Sequence, residues 1–270
     1  MRVASLHRYP VKSMAGETVE TAVLTERGLL GDRAYALFDR ETAKIASAKR
    51  PRRWPSLLGC GARFLAEPEV GGATPEVEIE PPDGRTATSG DRDGLDGWLS
   101  AALGRPVSLV EPREAGARFE YHWPDEPGLR YQGRLYRDEI TDHEMPTGTF
   151  FDSAGFHLLT TASLAALHRR APGLALDPGR FRANLVVSLE GDDDFPENAW
   201  VGRVLRLGEA RVRVTKPCIR CVMVNLEHRD ADADRGVLAA AFRHNEGNLG
   251  VKGEIVTPGR LAVGDPVLVE

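Results

Sequence analysis

The segment Lys216-Pro217-Cys218-Ile219-Arg220-Cys221 holds two of the three cysteines of this 270-residue chain and places them beside two cations. Positive charge next to a thiol lowers the thiol pKa and favours the thiolate, which binds soft metals or attacks electrophiles. The same Cys-x-x-Cys spacing also occurs in zinc knuckles and in redox pairs. The segment therefore predicts a chemical site whose type depends on the rest of the chain.

A structural zinc site and a thioredoxin-like pair both fit the rest of the chain poorly. Four-coordinate zinc needs two further ligands, and the sequence offers only Cys60 and seven scattered histidines. A thioredoxin-like pair opens a helix, whereas the residues from Cys221 to Leu226 predict a strand. The sequence also lacks a Gly-rich phosphate loop, a nucleophile elbow and a His-Glu-x-x-His helix.

The composition is typical of a soluble globular protein, with 41% hydrophobic and 28% charged residues. The formal net charge of -5 gives no general basic field, so we expect no nucleic-acid partner. Three cysteines, an odd number, argue against a disulfide framework and for a reducing compartment. We find no signal-peptide core and no run of about 18 apolar residues. We therefore expect a cytoplasmic protein without a membrane partner.

The first half of the chain predicts a small β-barrel or sandwich, because short apolar stretches are broken by Gly and Pro at close intervals. One amphipathic helix is predicted around Leu95 to Leu103, with Gly104 as its C-terminal cap. From Glu111 to Gly148 the sequence becomes polar and irregular, as in a long loop or boundary. The aromatic residues between Phe119 and Tyr136 could form a substrate-side wall or a contact between domains.

The second half predicts further strands and two helices. A helix begins near Thr161 and ends at Arg170, and a second runs from about Asp234 to His244. Hairpins are predicted about Gly208-Glu209 and Gly264-Asp265.

Six separated segments carry a more specific signal, in this order along the chain: Tyr9–Ser13, Gly28–Arg33, Leu158–Leu164, Arg180–Asn184, Lys216–Cys221 and Val263–Val267. Together they resemble the MOSC family, in the group with an N-terminal β-barrel domain that includes YcbX-type proteins and the mitochondrial amidoxime-reducing component. The resemblance implies an α+β, predominantly β fold. It implies an N-terminal β-barrel domain at residues 1–112 and a C-terminal MOSC β-barrel domain at 113–270, with a few peripheral helices.

The resemblance also implies a molybdenum cofactor, Mo-molybdopterin, and the residues that hold it. Cys221 would be the metal ligand, and a soft thiolate is a suitable donor for this metal. The phosphate would be held by Lys12, Ser13 and Arg33, which offer charge-assisted hydrogen bonds. Further residues implied near the cofactor are Arg182 and Asn184, which are also catalytic candidates, together with Thr161, Ser163 and Cys218.

The activity implied is the reduction of a small N-hydroxylated substrate. YcbX-type relatives carry a ferredoxin-like domain that this sequence lacks after Val267, so we expect a separate flavin or iron–sulfur protein to supply electrons. One alternative is a sulfur carrier with a persulfide on Cys221, whose pKa Arg220 and Lys216 would lower. Another alternative is a cofactor-binding protein without turnover.

Overall fold

The structure is a computed structural model and describes residues 1–112, 116–125, 130–131, 133–135, 137–189, 191 and 194–270. Within this part of the chain most segments are extended, because short apolar runs are interrupted by turn residues. The strands are β1 (Arg2–Arg8), β2 (Glu17–Val19), β3 (Thr21–Thr25), β4 (Gly28–Leu29), β5 (Ala36–Asp39), β6 (Lys44–Ile45), β7 (Gly61–Phe64), β8 (Val77–Glu80), β9 (Ala87–Thr88), β10 (Val107–Val110), β11 (Arg118–Trp123), β12 (Arg130–Tyr131), β13 (Arg134–Leu135), β14 (Glu139–Glu144), β15 (Phe156–Thr160), β16 (Leu185–Ser188), β17 (Val204–Leu207), β18 (Ala210–Ile219), β19 (Asn248–Thr257), β20 (Gly259–Ala262) and β21 (Val267–Val269).

The helices are few and short. They are α1 (Arg92–Leu103), α2 (Thr161–Arg170) and α3 (Gly236–Asn245), with 3-10 turns at Leu57–Gly59, Pro178–Phe181, Pro196–Trp200 and Val222–Asn225. Helix α1 ends where predicted, because Gly104 adopts the left-handed conformation with φ 66°. Helix α2 also agrees with its prediction, and the Thr160 side chain accepts a hydrogen bond from the backbone N–H of Ser163 at its start.

The largest sheet has eight strands in the order β2-β1-β16-β15-β19-β18-β17-β21 and curls into a half-barrel. Its apolar face forms one continuous core, which includes Leu6, Leu158 and Val212. Strand β1 enters this sheet antiparallel to β16, with Arg2 opposite Ser188. The N-terminal strand is therefore joined by backbone pairing to a strand of the second half of the chain.

A second sheet has the order β10-β5-β6-β11-β14 and also joins the two halves of the sequence. Here Phe119 of β11 lies opposite Ile45 of β6. Strands on both sides of the predicted boundary between residues 112 and 113 thus pair with each other. The boundary itself stays a prediction.

Three local predictions are wrong. The segment from Glu111 to Gly148 contains the paired strands β11 and β14, so it is not a long loop. The apolar run after Cys221 forms the 3-10 turn Val222–Asn225 instead of a strand. The strands on either side of Gly264-Asp265 do not pair as a hairpin, because β20 pairs with β3 and β21 pairs with β17. The turn between them docks on β1, since the backbone N–H of Val3 donates to the carbonyl oxygen of Asp265 at 2.9 Å.

The predicted fold class is confirmed: the protein is mainly β, with a half-barrel sheet and three peripheral α-helices among the described residues. None of these helices has the length and apolar character needed to cross a membrane.

Candidate functional site

One cavity joins the cysteine segment to the N-terminal part of the chain, and we call it the cysteine cavity. Its lining includes Cys218, Cys221, Asn184, His157, Asp152 and the basic residues Lys12, Arg33, Lys49, Arg180, Arg182, Arg220 and Lys252. Six of the residues predicted from the sequence, namely Lys12, Arg33, Arg182, Asn184, Cys218 and Cys221, are thus brought together.

The two cysteines of the segment lie in different environments. Cys218 is on β18 and only 4% exposed, whereas Cys221 follows the end of that strand and is partly exposed. The backbone N–H of Arg220 donates to the carbonyl oxygen of Gly247 at 2.7 Å and fixes the chain between them. Cys221 is therefore the thiol that a ligand in the cavity can reach.

The Arg220 side chain is directed to Cys218 and its neighbours. Its Nη1 lies 3.0 Å from Sγ of Cys218 and 3.3 Å from Nε2 of His157, and its Nη2 donates to the carbonyl oxygen of Phe181 at 2.8 Å. Burial acts to raise the pKa of Cys218, but the electropositive side chains of His157 and Arg220 outweigh burial and hold the pKa well below its usual value.

The two cations that lie beside Cys221 in the sequence, Arg220 and Lys216, have other surroundings in the structure. Arg220 is engaged with Cys218, and Lys216 is an exposed residue of a neighbouring groove. Lys49 is a cation that interacts with Cys221. Burial acts to lower the pKa of Lys49, but the charges of Asp152 and Cys221 raise it overall.

Asp152 is the centre of an ion-pair bridge in the cavity. Its Oδ1 lies 2.5 Å from Nζ of Lys12, and its Oδ2 lies 2.7 Å from Nζ of Lys49. Burial lowers the pKa of Lys12 to about 8 in spite of this partner. Seven basic residues and this single carboxylate line the described part of the cavity, so its potential is positive and suits an anionic ligand.

Arg33 and Arg182 share one aromatic platform. Their guanidinium carbons lie 4.6 and 4.3 Å from the ring centre of Tyr9. Nη1 of Arg182 donates to the carbonyl oxygen of Met14 at 2.5 Å, while its Nη2 is buried and has no hydrogen-bond partner among the described residues. Burial also lowers the pKa of Arg182 to about 10. A buried guanidinium with a free N–H is a ready donor to an anion.

Three of the predicted site residues have a strained backbone. Ser13, Arg33 and Arg182 adopt φ values of 66°, 50° and 55°, in the left-handed region that favours glycine. Such conformations cost free energy and are concentrated at functional sites, where the surrounding structure maintains them. The strain supports a positioning requirement at these three places.

Three predicted site residues do not line the cavity. The hydroxyl of Ser13 accepts from the backbone N–H of Ala48 at 3.1 Å, and that of Thr161 accepts from Leu189 at 3.2 Å. Ser163 donates to Oε2 of Glu197 at 2.5 Å. These hydroxyls satisfy buried polar groups and helix ends within the protein, and their assignment to a ligand stays a prediction.

Asn184 lines the cavity, but its side-chain amide forms hydrogen bonds with backbone groups of the protein. Its Oδ1 accepts from the backbone N–H of His157 at 3.2 Å, and its Nδ2 donates to the carbonyl oxygen of His7 at 3.4 Å. Asn184 thereby ties β15 and β1 to the loop that carries Arg182.

The aromatic segment lies behind the cavity. Phe119, Tyr121 and Trp123 are buried, and the rings of Tyr121 and Trp123 stack at 4.0 Å. Lys12 and Lys49 contact the Phe119 ring at 5.0 and 5.4 Å from its centre. None of these three aromatic residues lines the cavity, which favours the packing interpretation. Tyr136, at the end of the segment, lies outside the described residues.

Sequence reasoning missed four cavity residues: Lys49, Asp152, His157 and Lys252. The low lysine content of the sequence could have indicated two of them, Lys49 and Lys252. The chain has five lysines, and Lys12, Lys49 and Lys252 all reach this one cavity. Asp152 and His157 carried no comparable local pattern.

Residues 146–268 match the family model for the MOSC domain, and residues 1–58 match the model for the MOSC N-terminal beta barrel domain. The chain is a MOSC-domain protein. The two matches confirm the family resemblance of the six segments.

Known proteins similar to this MOSC-domain protein include molybdenum cofactor sulfurases and an amidoxime-reducing component. The molybdenum cofactor sulfurase of Oryza sativa is 29% identical over 86% of the chain, and that of Homo sapiens is 24% identical over 98%. The human mitochondrial amidoxime-reducing component 1 is 27% identical over 88% of the chain and 68% of its own length. The chain spans about a third of the length of the two sulfurases, 29% and 32%.

Among solved structures, the YuaD protein of Bacillus subtilis aligns over 99% of this chain and 94% of its own, with 11% identity and a TM-score of 0.46.

The cavity residues fit an anionic, metal-bearing cofactor. No group of three or more His, Cys, Asp or Glu side chains in the described part of the chain could hold a metal ion. A metal at Cys221 would therefore have to bring most of its ligands with it, as a metal bound to an organic cofactor does. The positive lining and the free N–H of Arg182 suit the negative charge of such a group.

Proposed function

We propose that the cysteine cavity binds the molybdenum cofactor, with the thiolate of Cys221 as the protein ligand of the metal. The observation that carries this proposal is the single cavity that joins the partly exposed Cys221 to Lys12, Arg33 and the unpartnered Nη2 of Arg182. A soft thiolate at one end and a cluster of cations at the other match the two ends of a metal–dithiolene cofactor that carries a phosphate.

In this proposal each residue has a defined task. Lys12 and Arg33 bind the phosphate, and Arg182 donates its free N–H to the cofactor. Asn184 holds the Arg182 loop against β15, and the Cys218–Arg220 contact fixes the chain that presents Cys221. Lys49 supplies a positive charge near the ligating sulfur.

We further propose that the protein is an oxidoreductase that removes oxygen from N-hydroxylated compounds. The cofactor would supply the two-electron chemistry, while the protein binds and orients the substrate. The relative named as an amidoxime-reducing component, matched over 88% of the chain, supports this activity. Electrons would come from a separate flavin or iron–sulfur protein. A cytoplasmic location stays a prediction from the cysteine content.

Metal analysis of matched cysteine variants tests the assignment. The wild type, Cys221→Ala and Cys218→Ala would be made in a cofactor-competent host and analysed for molybdenum and for released oxidised pterin. We expect stoichiometric molybdenum in the wild type and a loss of more than about tenfold in Cys221→Ala, because the proposed protein ligand of the metal is removed. Cys218→Ala should retain most of the metal. Equal molybdenum in wild type and Cys221→Ala would reject the proposal.

The second candidate is a sulfur carrier with a persulfide on Cys221. It is favoured by the relatives named molybdenum cofactor sulfurase and by the partial exposure of this thiol. Mass spectrometry after incubation with a cysteine desulfurase and cysteine would show an added sulfur on Cys221 in this case. Full metal loading without reduction of any N-hydroxylated compound by a strong artificial donor would instead indicate a cofactor-binding protein without turnover.

A further inference from the structure

The outer surface of the half-barrel sheet carries a group of exposed cations. Val212 of β18 belongs to the apolar core, so its neighbours Arg211 and Arg213 project from the opposite side of the sheet. Arg206 of β17 lies directly opposite Arg211, and Lys216 follows further along β18. All four cations are exposed. We call these four residues the arginine face.

The positive charge of the arginine face is only partly neutralised. Arg211 forms an ion pair with Glu270, and Glu254 lies opposite Arg213 on the ladder. Among the described residues, no carboxylate oxygen lies within 4.0 Å of a side-chain nitrogen of the other three cations. The pairing of Arg206 with Arg211 also has a cost, because like charges directly opposite each other destabilise a sheet. Free cations held at such a cost indicate an anionic partner.

The arginine face continues into the surroundings of the cysteine cavity. Lys216 lies opposite Lys252 of β19, and Lys252 lines the cavity. Lys252 and Glu254 are alternate residues of β19 and share one side of the sheet, which is also the side of Arg213. Cys218 follows Lys216 on β18 at a distance of at most about 7 Å along the strand. A molecule docked on the face therefore lies next to the cavity.

The surface around the cations favours a protein as the partner. Leu268 of β21 lies opposite Arg206 and is 42% exposed, and Val256 of β19 is 47% exposed. Arginine together with apolar side chains is typical of the centre of protein–protein interfaces. A nucleic acid would instead meet the field of the whole chain, whose formal net charge is -5.

From this charge and position we infer that the arginine face docks a small acidic protein that carries a one-electron redox centre and delivers electrons to the cysteine cavity. The inference rests on the proposed function, because it identifies where the electron donor of that reaction binds. Each turnover takes up two electrons and two protons, breaks the N–O bond, forms an N–H bond and releases water. Two molecules of the reduced donor are oxidised, one after the other.

The test compares two double charge reversals that change the net charge equally. Arg206→Glu/Arg213→Glu alters the arginine face. The control is Arg235→Glu/Arg243→Glu, at exposed positions just before helix α3 and in its last turn. Neither control residue forms an ion pair within the described chain. Denaturant unfolding verifies that both variants are folded.

The first measurement is the binding of an acidic plant-type [2Fe–2S] ferredoxin, followed by surface plasmon resonance. Charge complementarity acts mainly on the association rate. In about 50 mM NaCl we expect this rate to fall about tenfold or more in the arginine-face variant and to stay within about twofold of the wild type in the control. In about 300 mM NaCl the difference should shrink, because salt screens exposed charges.

The second measurement is the reduction of benzamidoxime with two different donors. With reduced ferredoxin, the KM for ferredoxin should rise about tenfold in the arginine-face variant. With reduced methyl viologen, a small donor that needs no docking surface, the rate should equal that of the wild type. Equal weakening in both double variants, a loss of rate with both donors, or no binding of ferredoxin to the wild type would overturn the inference. Tighter binding of a DNA duplex than of ferredoxin, lost in the arginine-face variant, would also overturn it.

A failure of the proposed function can be told apart from a failure of this inference. Wild-type protein that lacks molybdenum, or that reduces nothing with methyl viologen, counts against the proposed function. The binding measurement needs neither metal nor turnover. Ferredoxin binding that is weakened only in the arginine-face variant then still supports the docking surface, and equal binding to all three proteins rejects it.

Discussion

Sγ of Cys218 lies 3.0 Å from Nη1 of Arg220, so the arginine between the two cysteines serves the buried one. Because of this contact, the two cysteines of the Cys-x-x-Cys segment have different environments. Cys218 is held inside the protein by a charged partner, and Cys221 is left facing the cavity.

The three thiols should react with iodoacetamide in a fixed order. Cys221 is partly exposed and should be labelled first at pH 8, while Cys218 is 4% exposed and protected. Cys60 is fully buried, and burial raises its pKa to about 12, so it should stay unmodified in the folded protein. Peptide mass spectrometry over time measures the order. Labelling of Cys60 as fast as Cys221 would contradict it.

Arg220→Met should destabilise the protein strongly. The carbonyl oxygens of Phe181 and Leu249 would lose their Arg220 donor, and each unsatisfied buried group costs about 1–3 kcal/mol. We expect the free energy of unfolding in denaturant to fall by about 3 kcal/mol or more. Arg213→Met, an exposed position on the preceding strand β18, is the control and should stay within about 0.5 kcal/mol of the wild type. Similar losses in both variants would show that the Arg220 contacts are not the cause.

Asp152→Asn should make the free energy of unfolding depend less on pH in the acid range. Burial acts to raise the pKa of Asp152, but the charges of Lys12 and Lys49 hold it well below its usual value. A carboxyl whose pKa is lower in the folded state contributes stability above its unfolded pKa of about 3.9, and this stability is lost as the pH falls through the folded pKa. Wild-type stability should therefore drop between about pH 5 and pH 2, as followed by denaturant unfolding at each pH.

The Asp152→Asn variant should be less stable at pH 7 and lose less than the wild type on acidification. The control Asp93→Asn, at an exposed position of helix α1, should follow the wild-type curve. Equal losses of unfolding free energy on acidification in the wild type and in Asp152→Asn would contradict the ion-pair bridge of Asp152.

Ser163→Ala should affect stability but not ligand content. The Ser163 hydroxyl donates to the buried Glu197 carboxylate, which Thr160 also contacts at 2.6 Å. Removing this donor should cost about 1–3 kcal/mol of unfolding free energy, measured by denaturant titration. Molybdenum content should equal that of the wild type. A loss of metal with unchanged stability would instead favour the cofactor role that the family resemblance implies for Ser163.

Trp123→Ala should destabilise the second sheet. The indole is 3% exposed, stacks on Tyr121 and donates from Nε1 to the hydroxyl of Thr141 at 2.8 Å. Truncation of a buried tryptophan costs about 3–5 kcal/mol. Thermal and denaturant unfolding should show this loss, whereas Leu135→Ala, at a position that is 39% exposed, should show little. A small effect at Trp123 would revive the substrate-wall interpretation.

Local sequence patterns were sufficient to predict the helices. The spacing of Leu95 and Leu99 gives α1 one buried face, and Gly104 can adopt the left-handed conformation that ends it. The run from Val222 to Asn225 shows the limit of this reasoning, because a short apolar run is compatible with a strand or a buried turn. Only its packing against other elements decides between them.

The site was predictable where the family motifs covered it and unpredictable where side-chain direction decided. The resemblance led to Lys12, Arg33, Arg182 and Cys221, which do share one cavity. Sequence position gave the wrong partner for Arg220, because the side chain follows the carbonyl oxygens of Phe181 and Leu249, which are distant in the sequence.

The pairing of β1 with β16 also sets an order for biosynthesis. During synthesis β1 leaves the ribosome long before its partner, because Arg2 pairs with Ser188. Such sequence-distant pairing makes folding slow. The wall that carries Lys12 and Arg33 cannot close on Cys221 until most of the chain has been made. A prosthetic group that both walls hold can therefore be enclosed only after most of the chain has been synthesised.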